Sequence, residues 1–315
     1  MKPETRNLTS YTAKLSESQA ALVKAYLDSH DFEAQTVPYA QFAGKRKDVG
    51  VVFYESGKLV VQGKGTEEFV QFFLEPEVFK EARLGYDEVL NPQAFEPHMG
   101  VDESGKGDYF GPMVISAVFA SREAFPRFKE LNVRDSKKIT SDNAAIDLAK
   151  KIRSMRECMA EVISIGPEAY NRLHTKMKNV NDILGWGHAR AIENLLARID
   201  PQKSGKICSR AISDQFGNKR IIQQALMERG KTIQLEQRHR AEEDLAVAAA
   251  SIVARAEFVL GLGRLSKKWR IKLPKGASEA VIEAGRELVS KHGREALSQV
   301  AKIHFRTTEK VCVLA

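Results

Sequence analysis

Two adjacent carboxylates mark the stretch of this 315-residue chain that is richest in groups able to do chemistry. Asp102 and Glu103 are followed at once by a glycine-rich loop, SGKG at positions 104–107. Mg²⁺ is a hard cation that takes oxygen ligands, so carboxylates clustered at the end of a strand are typical of a divalent-metal site. The glycines would bring backbone N–H groups, and Lys106 a positive charge, close to a sugar–phosphate chain. The stretch predicts metal-assisted chemistry on a phosphate-bearing substrate.

Two other interpretations of the same residues compete with a metal site. The residues from Gly100 to Lys106 fit the pattern G-x-x-x-x-G-K of the phosphate-binding P-loop. The position after Lys106 is Gly107, however, so the hydroxyl that would hold Mg²⁺ is missing. Two carboxylates would also lie inside the phosphate cradle, and little apolar sequence precedes Gly100 to form the entering strand. The second alternative, a solvated Asp-Glu turn with a flexible glycine loop, stays open on the dipeptide alone.

Length and composition limit the class of protein. At 315 residues the chain favours two domains, and its 43% hydrophobic and 29% charged residues are typical of a soluble protein with a sizeable core. Three scattered cysteines make a disulfide framework or a zinc site unexpected and favour a reducing cytoplasm. The first ten residues contain no signal peptide, and the apolar run Leu245–Leu262 carries Arg255 and Glu257. That run predicts a buried helix rather than a membrane span.

The positive charge is concentrated in the second part of the chain. Residues 1–100 hold 11 Lys and Arg against 15 Asp and Glu, whereas the remainder holds 38 against 26. A basic excess suits a polyanionic partner, so we expect the main polyanion site after Gly100. A local cluster, Lys45, Arg46 and Lys47, is the exception within the acidic first part.

The elements that must position these groups fall into two patterns. Before residue 91, a helix from Ser16 to Ser29, three strands and further helical segments predict a small sheet with helices on one face. The predicted strands are Thr36–Phe42, Val49–Tyr54 and Lys58–Gln62, the helical segments Thr66–Phe73 and Glu75–Leu84, and the linker 91–98.

After Gly100, apolar strands alternate with longer helical stretches, which is typical of an α/β domain. The predicted strands are Met99–Asp102, Met113–Phe119, Glu161–Ile165 and Lys206–Asp214. The predicted helices are Ser141–Arg153, Gly185–Ala197, Glu242–Leu260 and Ala277–Lys291.

Several motifs together resemble a known family. GVDESGKGDYFGPMVISAV (100–118), DSKKIT (135–140), NVNDILGWGHARAIENL (179–195), AVAAASIVAR (246–255) and AKIHFRTT (301–308) are similar to the type 2 ribonucleases H, and within them to bacterial ribonuclease HIII. The resemblance implies a ribonuclease H-like catalytic domain at 97–315, with a mixed sheet flanked by helices. It also implies a small α+β substrate-binding domain at 1–90 that resembles the TATA-box-binding-protein fold.

The resemblance implies four catalytic, metal-binding acids. Asp102 and Glu103 match the first two, and Asp214, before a glycine turn, matches the third. The fourth falls among three consecutive acids at 242–244. On a continuous helix only Glu242 would lie over the apolar stripe that faces the sheet, with Glu243 and Asp244 toward solvent. The offset from Ser251 leaves Glu242 and Glu243 as alternatives for the fourth acid.

The chemistry implied is hydrolysis of the RNA strand of an RNA/DNA hybrid by two divalent ions, leaving 5′-phosphate and 3′-hydroxyl ends. Mg²⁺ is the expected cofactor, with Mn²⁺ as a substitute. The expected substrate-binding residues are Ser104, Gly105, Lys106, Gly107, Lys137 and Lys138. The alternatives are incision at single embedded ribonucleotides, as in ribonuclease HII, and a non-catalytic hybrid-binding protein. We expect a cytoplasmic monomer that binds the hybrid duplex and no membrane.

Overall fold

The computed structural model describes residues 8–81, 92–134, 136–199, 207–218 and 220–313, and the Lys138 side chain lies outside that description. The chain divides into two compact units, Met1–Ala94 and Phe95–Ala315. The division falls inside the segment 91–98 that the sequence predicts as a linker. Part of the predicted helix Glu75–Leu84, Asp135 of the DSKKIT motif and Lys206 also lie outside the described residues.

The first unit contains an antiparallel sheet of five strands in the order β1-β5-β4-β3-β2. The strands are β1 Ser10–Lys14, β2 Glu33–Ala34, β3 Ala40–Arg46, β4 Val49–Tyr54 and β5 Lys58–Gln62. Helix α1 spans Glu17–Ser29, where Ser16 and Gln19 form a capping box. A second helical segment begins as α2, Thr66–Phe69, and continues as π-helix over Val70–Phe79.

The hairpin predicted between β4 and β5 is confirmed. Alternating buried residues in β4 and the positive φ of Gly57, +78°, match the strand period and the turn residue. The strand predicted at Thr36–Phe42 was placed too early, since β3 begins at Ala40. β1 and β2 were not predicted, because both are short, polar edge strands with little buried surface.

The second unit contains a mixed five-stranded sheet in the order β10-β9-β6-β7-β8. The strands are β6 His98–Ser104, β7 Met113–Ala120, β8 Cys158–Ile165, β9 Arg210–Asp214 and β10 Gln234–Arg238. β6, β7 and β8 pair antiparallel, whereas β9 lies parallel to both β6 and β10. In the β6–β9 register Val101 stands opposite Ser213, so Asp102, near the end of β6, lies beside Asp214 at the end of β9.

Helices cover both faces of this sheet. Met113 and Ile115 of β7 pack with Ile183 on one face, while Val114 packs with Ala254 on the other. The α-helices of this unit are α3 Ala124–Glu130, α4 Asp142–Ser154, α5 Pro167–Met177, α6 Val180–Arg198, α7 Arg220–Ala225, α8 Leu245–Trp269, α9 Glu279–His292, α10 Leu297–Val300 and α11 Thr307–Cys312. The 3-10 segments among the described residues are Pro92–Phe95, Ser136–Lys138, Gly230–Thr232, Ala241–Glu243 and Arg294–Ala296.

The apolar helix α8 lies directly against β6. Within the described residues it alone is long and apolar enough to cross a membrane, but 72% of its apolar window is buried inside the protein, as in a core helix. The small residues Ala246, Ala249 and Ala250 are buried at the start of the helix, which lets its backbone approach the sheet closely. This close approach sets the position of the segment that precedes α8.

Candidate active site

A cavity of about 590 Å³ opens at the end of β6 and β9. Three of the predicted acids, Asp102, Glu103 and Asp214, line it together. The cavity is also lined by Ser104, Gly105, Lys106, Gly107, Asp108, Ser136, Lys137, Ser251, Arg255, Phe258, Val259 and Lys275. The structure therefore brings together acids that are more than 100 residues apart in the chain, beside five of the six predicted substrate-binding residues.

The environment of the Asp102 carboxylate disfavours its charged form. Burial, and then the charges of Glu103 and Asp214, raise its pKa from 3.8 to about 7. The Ser251 hydroxyl and the Glu103 backbone N–H, which donates to Oδ1 over 2.8 Å, partly offset this rise. A desolvated carboxylate beside two like charges is stabilised by a bound cation.

Glu103 is held in the charged form by its neighbours. Burial alone would raise its pKa, but the hydrogen bond and charge of His188 and the charges of Lys106 and Lys137 outweigh burial, so the pKa is lowered. His188 Nε2 donates to Glu103 Oε2 over 3.1 Å, and Lys106 Nζ lies 3.9 Å from Oε1. His188 lies inside the motif at 179–195, yet no sequence pattern connects it with residue 103.

Asp214 contacts the turn that carries the fourth predicted acid. The Ala241 N–H donates to Asp214 Oδ1 over 3.4 Å, and Glu242 is the next residue, half-buried in the 3-10 turn Ala241–Glu243. Glu242 is not among the described residues that line the cavity. Its role as a ligand, and the choice between Glu242 and Glu243, stay predictions.

The predicted orientation of Asp244 was wrong. Helix α8 begins at Leu245 rather than at Glu242, so the three acids do not follow one helical wheel. The Asp244 side chain is only 5% exposed and caps the helix by accepting from the N–H groups of Ala246 and Val247. His98 Nε2 lies 3.0 Å from both Asp244 oxygens. Tertiary pairing with His98 therefore turned this acid inward.

Replacing Asp244 with Ala should destabilise the protein by about 3 kcal/mol, from the lost cap and from the buried His98 left without its partner. The His98 contact and the two backbone N–H groups lower the Asp244 pKa below 3.8 despite burial. The ionised Asp244 carboxylate therefore stabilises the folded protein above pH 3.8, and this contribution is lost as the pH falls through the lower pKa of the folded state.

Urea unfolding at pH 7 and near pH 3 measures the Asp244→Ala effect, with the exposed neighbour Glu243→Ala as the control. The difference in the free energy of unfolding between the wild type and Asp244→Ala should be smaller near pH 3 than at pH 7. A difference of the same size at both values would contradict the assigned role of the carboxylate.

The two glycines of the loop serve different purposes. Gly105 has φ +89°, and a Cβ there would lie 2.3 Å from the Pro112 carbonyl oxygen, so the fold itself requires glycine. At Gly107 an added Cβ would meet no atom of the described residues within 4 Å. Gly107 is therefore the position where the backbone is open toward the cavity.

A buried hydrogen-bond chain, which sequence reasoning missed, connects the DSKKIT segment to Asp102. The Ser136 and Ser251 hydroxyls are 2.8 Å apart, and Ser251 also bonds Asp102. Arg255, one helical turn beyond Ser251, donates to the carbonyl oxygens of Ser136 and Ile139. Ser251 and Arg255 lie within the AVAAASIVAR motif, but only the tertiary structure shows that they contact Asp102 and the segment 136–139.

The donor set suits a hard divalent cation. Its members are carboxylates, which are the ligands that Mg²⁺ and Mn²⁺ prefer over sulfur or nitrogen. Among the described residues no three His, Cys, Asp or Glu side chains stand close enough together to hold an ion as they are placed. The raised pKa of Asp102 is the observation that favours a cation there.

Comparison with known proteins agrees with this geometry. Residues 99–308 match the family model described as Ribonuclease HII, and residues 11–83 match a domain of unknown function. Ribonuclease HIII of Protochlamydia amoebophila is 42% identical over 277 residues, which cover 88% of each chain. That of Chlamydia caviae is 39% identical over 306 residues, or 96% of this chain and 98% of the relative. The chain belongs to the ribonuclease HIII family.

Solved structures of ribonuclease HIII share the architecture. Bst-RNase HIII in complex with Mn²⁺ is 28% identical with a TM-score of 0.68, covering 98% of this chain and 99% of that one. Aquifex aeolicus RNase H3 is 29% identical with a TM-score of 0.53, covering 94% and 100%. The predicted fold class, a ribonuclease H-like mixed sheet preceded by a small α+β domain, is confirmed, and the chain is a metal-dependent ribonuclease.

Proposed function

We propose that this member of the ribonuclease HIII family hydrolyses the RNA strand of RNA/DNA hybrids internally, leaving 5′-phosphate and 3′-hydroxyl ends. The observation that carries the proposal is the shared cavity of Asp102, Glu103 and Asp214 beside the 104–107 loop. Mg²⁺ is the proposed cofactor, two ions per site, with Mn²⁺ as a substitute. Bound divalent ions supply an activated water and stabilise the charge on phosphorus and the leaving oxygen.

The acids of the cavity would each supply ligands to the bound ions. Asp102, whose carboxylate is affected by the charges of both Glu103 and Asp214, would contact both ions, and its two neighbours would supply further ligands. Glu242 would act near the leaving group, which its place beside the Asp214 contact supports. The protein then contributes position and charge, and no side-chain nucleophile is needed.

The loop next to the acids would recognise the RNA strand. Gly107, where an added Cβ would meet no described atom, would offer its backbone N–H to the ribose 2′-hydroxyl that distinguishes RNA from DNA. Lys106 and Lys137 line the same cavity and would contact phosphates. Lys138 is proposed as a further phosphate contact by its sequence position alone.

The first unit would bind the hybrid through its basic cluster. The cluster Lys45, Arg46 and Lys47 is exposed, and its last two residues line a surface depression together with Phe72, a residue that is 75% exposed. Cations beside an exposed aromatic ring can bind a phosphate backbone and stack on a base. A fall in hybrid affinity on replacing Lys47 with Ala, measured by fluorescence anisotropy, would support this role.

A side-by-side cleavage assay tests the proposed substrate. End-labelled uniform RNA/DNA hybrid and a DNA duplex with one embedded ribonucleotide are incubated with the enzyme and Mg²⁺, with an EDTA-treated sample as the control. We expect multiple internal cuts in the hybrid and none in the second duplex. Efficient incision at the single ribonucleotide would instead support the ribonuclease HII-like alternative, and cleavage that survives EDTA would contradict the metal requirement.

A further inference from the structure

A fully buried histidine connects the two strands that carry the three cavity acids. His188, on helix α6, is 0% exposed. Its Nε2 lies 3.1 Å from Glu103 Oε2 at the end of β6, and its Nδ1 lies 3.0 Å from Ser213 Oγ in β9. Ser213 is the residue before Asp214, and its hydroxyl donates to the Asp214 carbonyl over 3.1 Å.

Close packing of α6 brings the ring to this position. A Cβ at Gly187 would lie 2.7 Å from Ile115 Cδ1, so glycine allows the helix to lie directly on the sheet. The side chain that follows Gly187 then reaches the ends of β6 and β9. Phe216 packs against the His188 ring with centroids 4.8 Å apart, and Lys106 Nζ lies 5.4 Å from the centroid of the Phe216 ring.

The direction of the Glu103 hydrogen bond follows from the chemistry of its partners. An ionised carboxylate only accepts, so the proton on this bond belongs to His188 Nε2. The Ser213 hydroxyl lies within hydrogen-bond distance of both Nδ1 and the Asp214 carbonyl, and its single proton can go to either of them. The ring has a partner at both nitrogens and can hold one Glu103 oxygen in a single orientation.

We propose that His188 is a positioning residue, which orients the Glu103 carboxylate for the catalytic cation and ties it to the strand that carries Asp214. The inference rests on the proposed function, because it assigns Glu103 to cation binding. Partners that orient a metal-binding side chain contribute about 10- to 100-fold to metal affinity or activity. Were the residue only a packing group, an apolar ring of similar size would serve as well at this buried position.

The test compares His188→Phe, which keeps the ring, with His188→Gln, whose amide can donate to Glu103 from a similar place. The exposed His292→Gln is the matched control. Mn²⁺ affinity is measured by electron paramagnetic resonance without nucleic acid, and kcat and KM are measured on hybrid with Mg²⁺. Thermal melting without metal reports the fold.

We expect His188→Phe to melt near the wild-type temperature but to bind Mn²⁺ about 10- to 100-fold more weakly, with a lower kcat and a similar KM. His188→Gln should recover much of both losses. Wild-type Mn²⁺ affinity and kcat in a folded His188→Phe would overturn the inference. If His188→Phe does not fold, Ser213→Ala, which removes the contact between His188 and β9, takes its place, and an unchanged Mn²⁺ affinity and kcat in that variant would overturn the inference.

The metal titration also separates this inference from the proposed substrate. If the wild type cuts no hybrid, the proposed substrate fails, while the loss of Mn²⁺ affinity in His188→Phe still supports the role of His188. If the wild type cuts hybrid and the Phe variant matches it in both measurements, the inference alone fails.

Discussion

Replacing Asp102 with Asn should abolish hybrid cleavage, with a loss on the order of 10³-fold or more, as when a group that stabilises transition-state charge is removed. Asn keeps the size of the side chain but lacks the charge that the cation needs. Hybrid binding should be largely retained, since the lysines and the backbone of the 104–107 loop are unchanged. Single-turnover cleavage and equilibrium binding of the same labelled hybrid measure the two effects.

The same substitution should stabilise the metal-free protein. Burial and like charges raise the Asp102 pKa from 3.8 to about 7, so the folded state binds more protons than the unfolded state between these values. The wild type therefore loses stability as the pH rises from about 4 to 7, and Asn at this position removes that loss. In urea unfolding with EDTA, the free energy of unfolding of Asp102→Asn should exceed that of the wild type by an amount that grows across this pH range.

The matched control for both measurements is Asp147→Asn, on the exposed face of α4, where the carboxylate pairs with Lys150. It should leave cleavage and stability near the wild-type values. Cleavage by Asp102→Asn at a rate comparable to the wild type would contradict the metal site. A stability advantage that does not depend on pH would contradict the buried, repelled carboxylate.

Replacing Gly100 with Ala should destabilise the protein by about 3 kcal/mol or more, at the upper end of the cost of overpacking. A Cβ at Gly100 would lie 2.1 Å from the Ala246 carbonyl carbon and 2.1 Å from the Val247 nitrogen. These are backbone atoms in the first turn of α8, which no side-chain rotation can move aside. Relief requires β6 and α8 to separate, and this also shifts the turn that contacts Asp214.

Gly263→Ala provides the control within the same helix. No described atom lies within 4 Å of a Cβ at Gly263, and helical Ala is favoured over Gly by up to about 1 kcal/mol. Urea unfolding should therefore show equal or greater stability for Gly263→Ala and a large loss for Gly100→Ala. Stability of Gly100→Ala close to that of the wild type would contradict this prediction, because it would mean that α8 can move away from β6 without destabilising the fold.

Elements with strong local signals were predictable from the sequence. β4 and β5 match their predicted bounds because alternation and a turn glycine specify a hairpin locally, and α1 follows its Ser16 cap. β1 and β10 were missed because these short edge strands bury few side chains. β10 forms only by pairing with β9 in the parallel register, which depends on residues far away in the chain.

The amino-acid sequence by itself determined the acid pair at 102 and 103, the glycine loop and the resemblance to ribonuclease HIII, since these depend on residue types at short spacing. Only the tertiary structure decided that Asp214 shares their cavity, that Asp244 turns inward to His98 and that His188 holds Glu103. Such contacts depend on how helices pack on the sheet. Local spacing cannot specify them, because burial and distance arise only when separate segments meet.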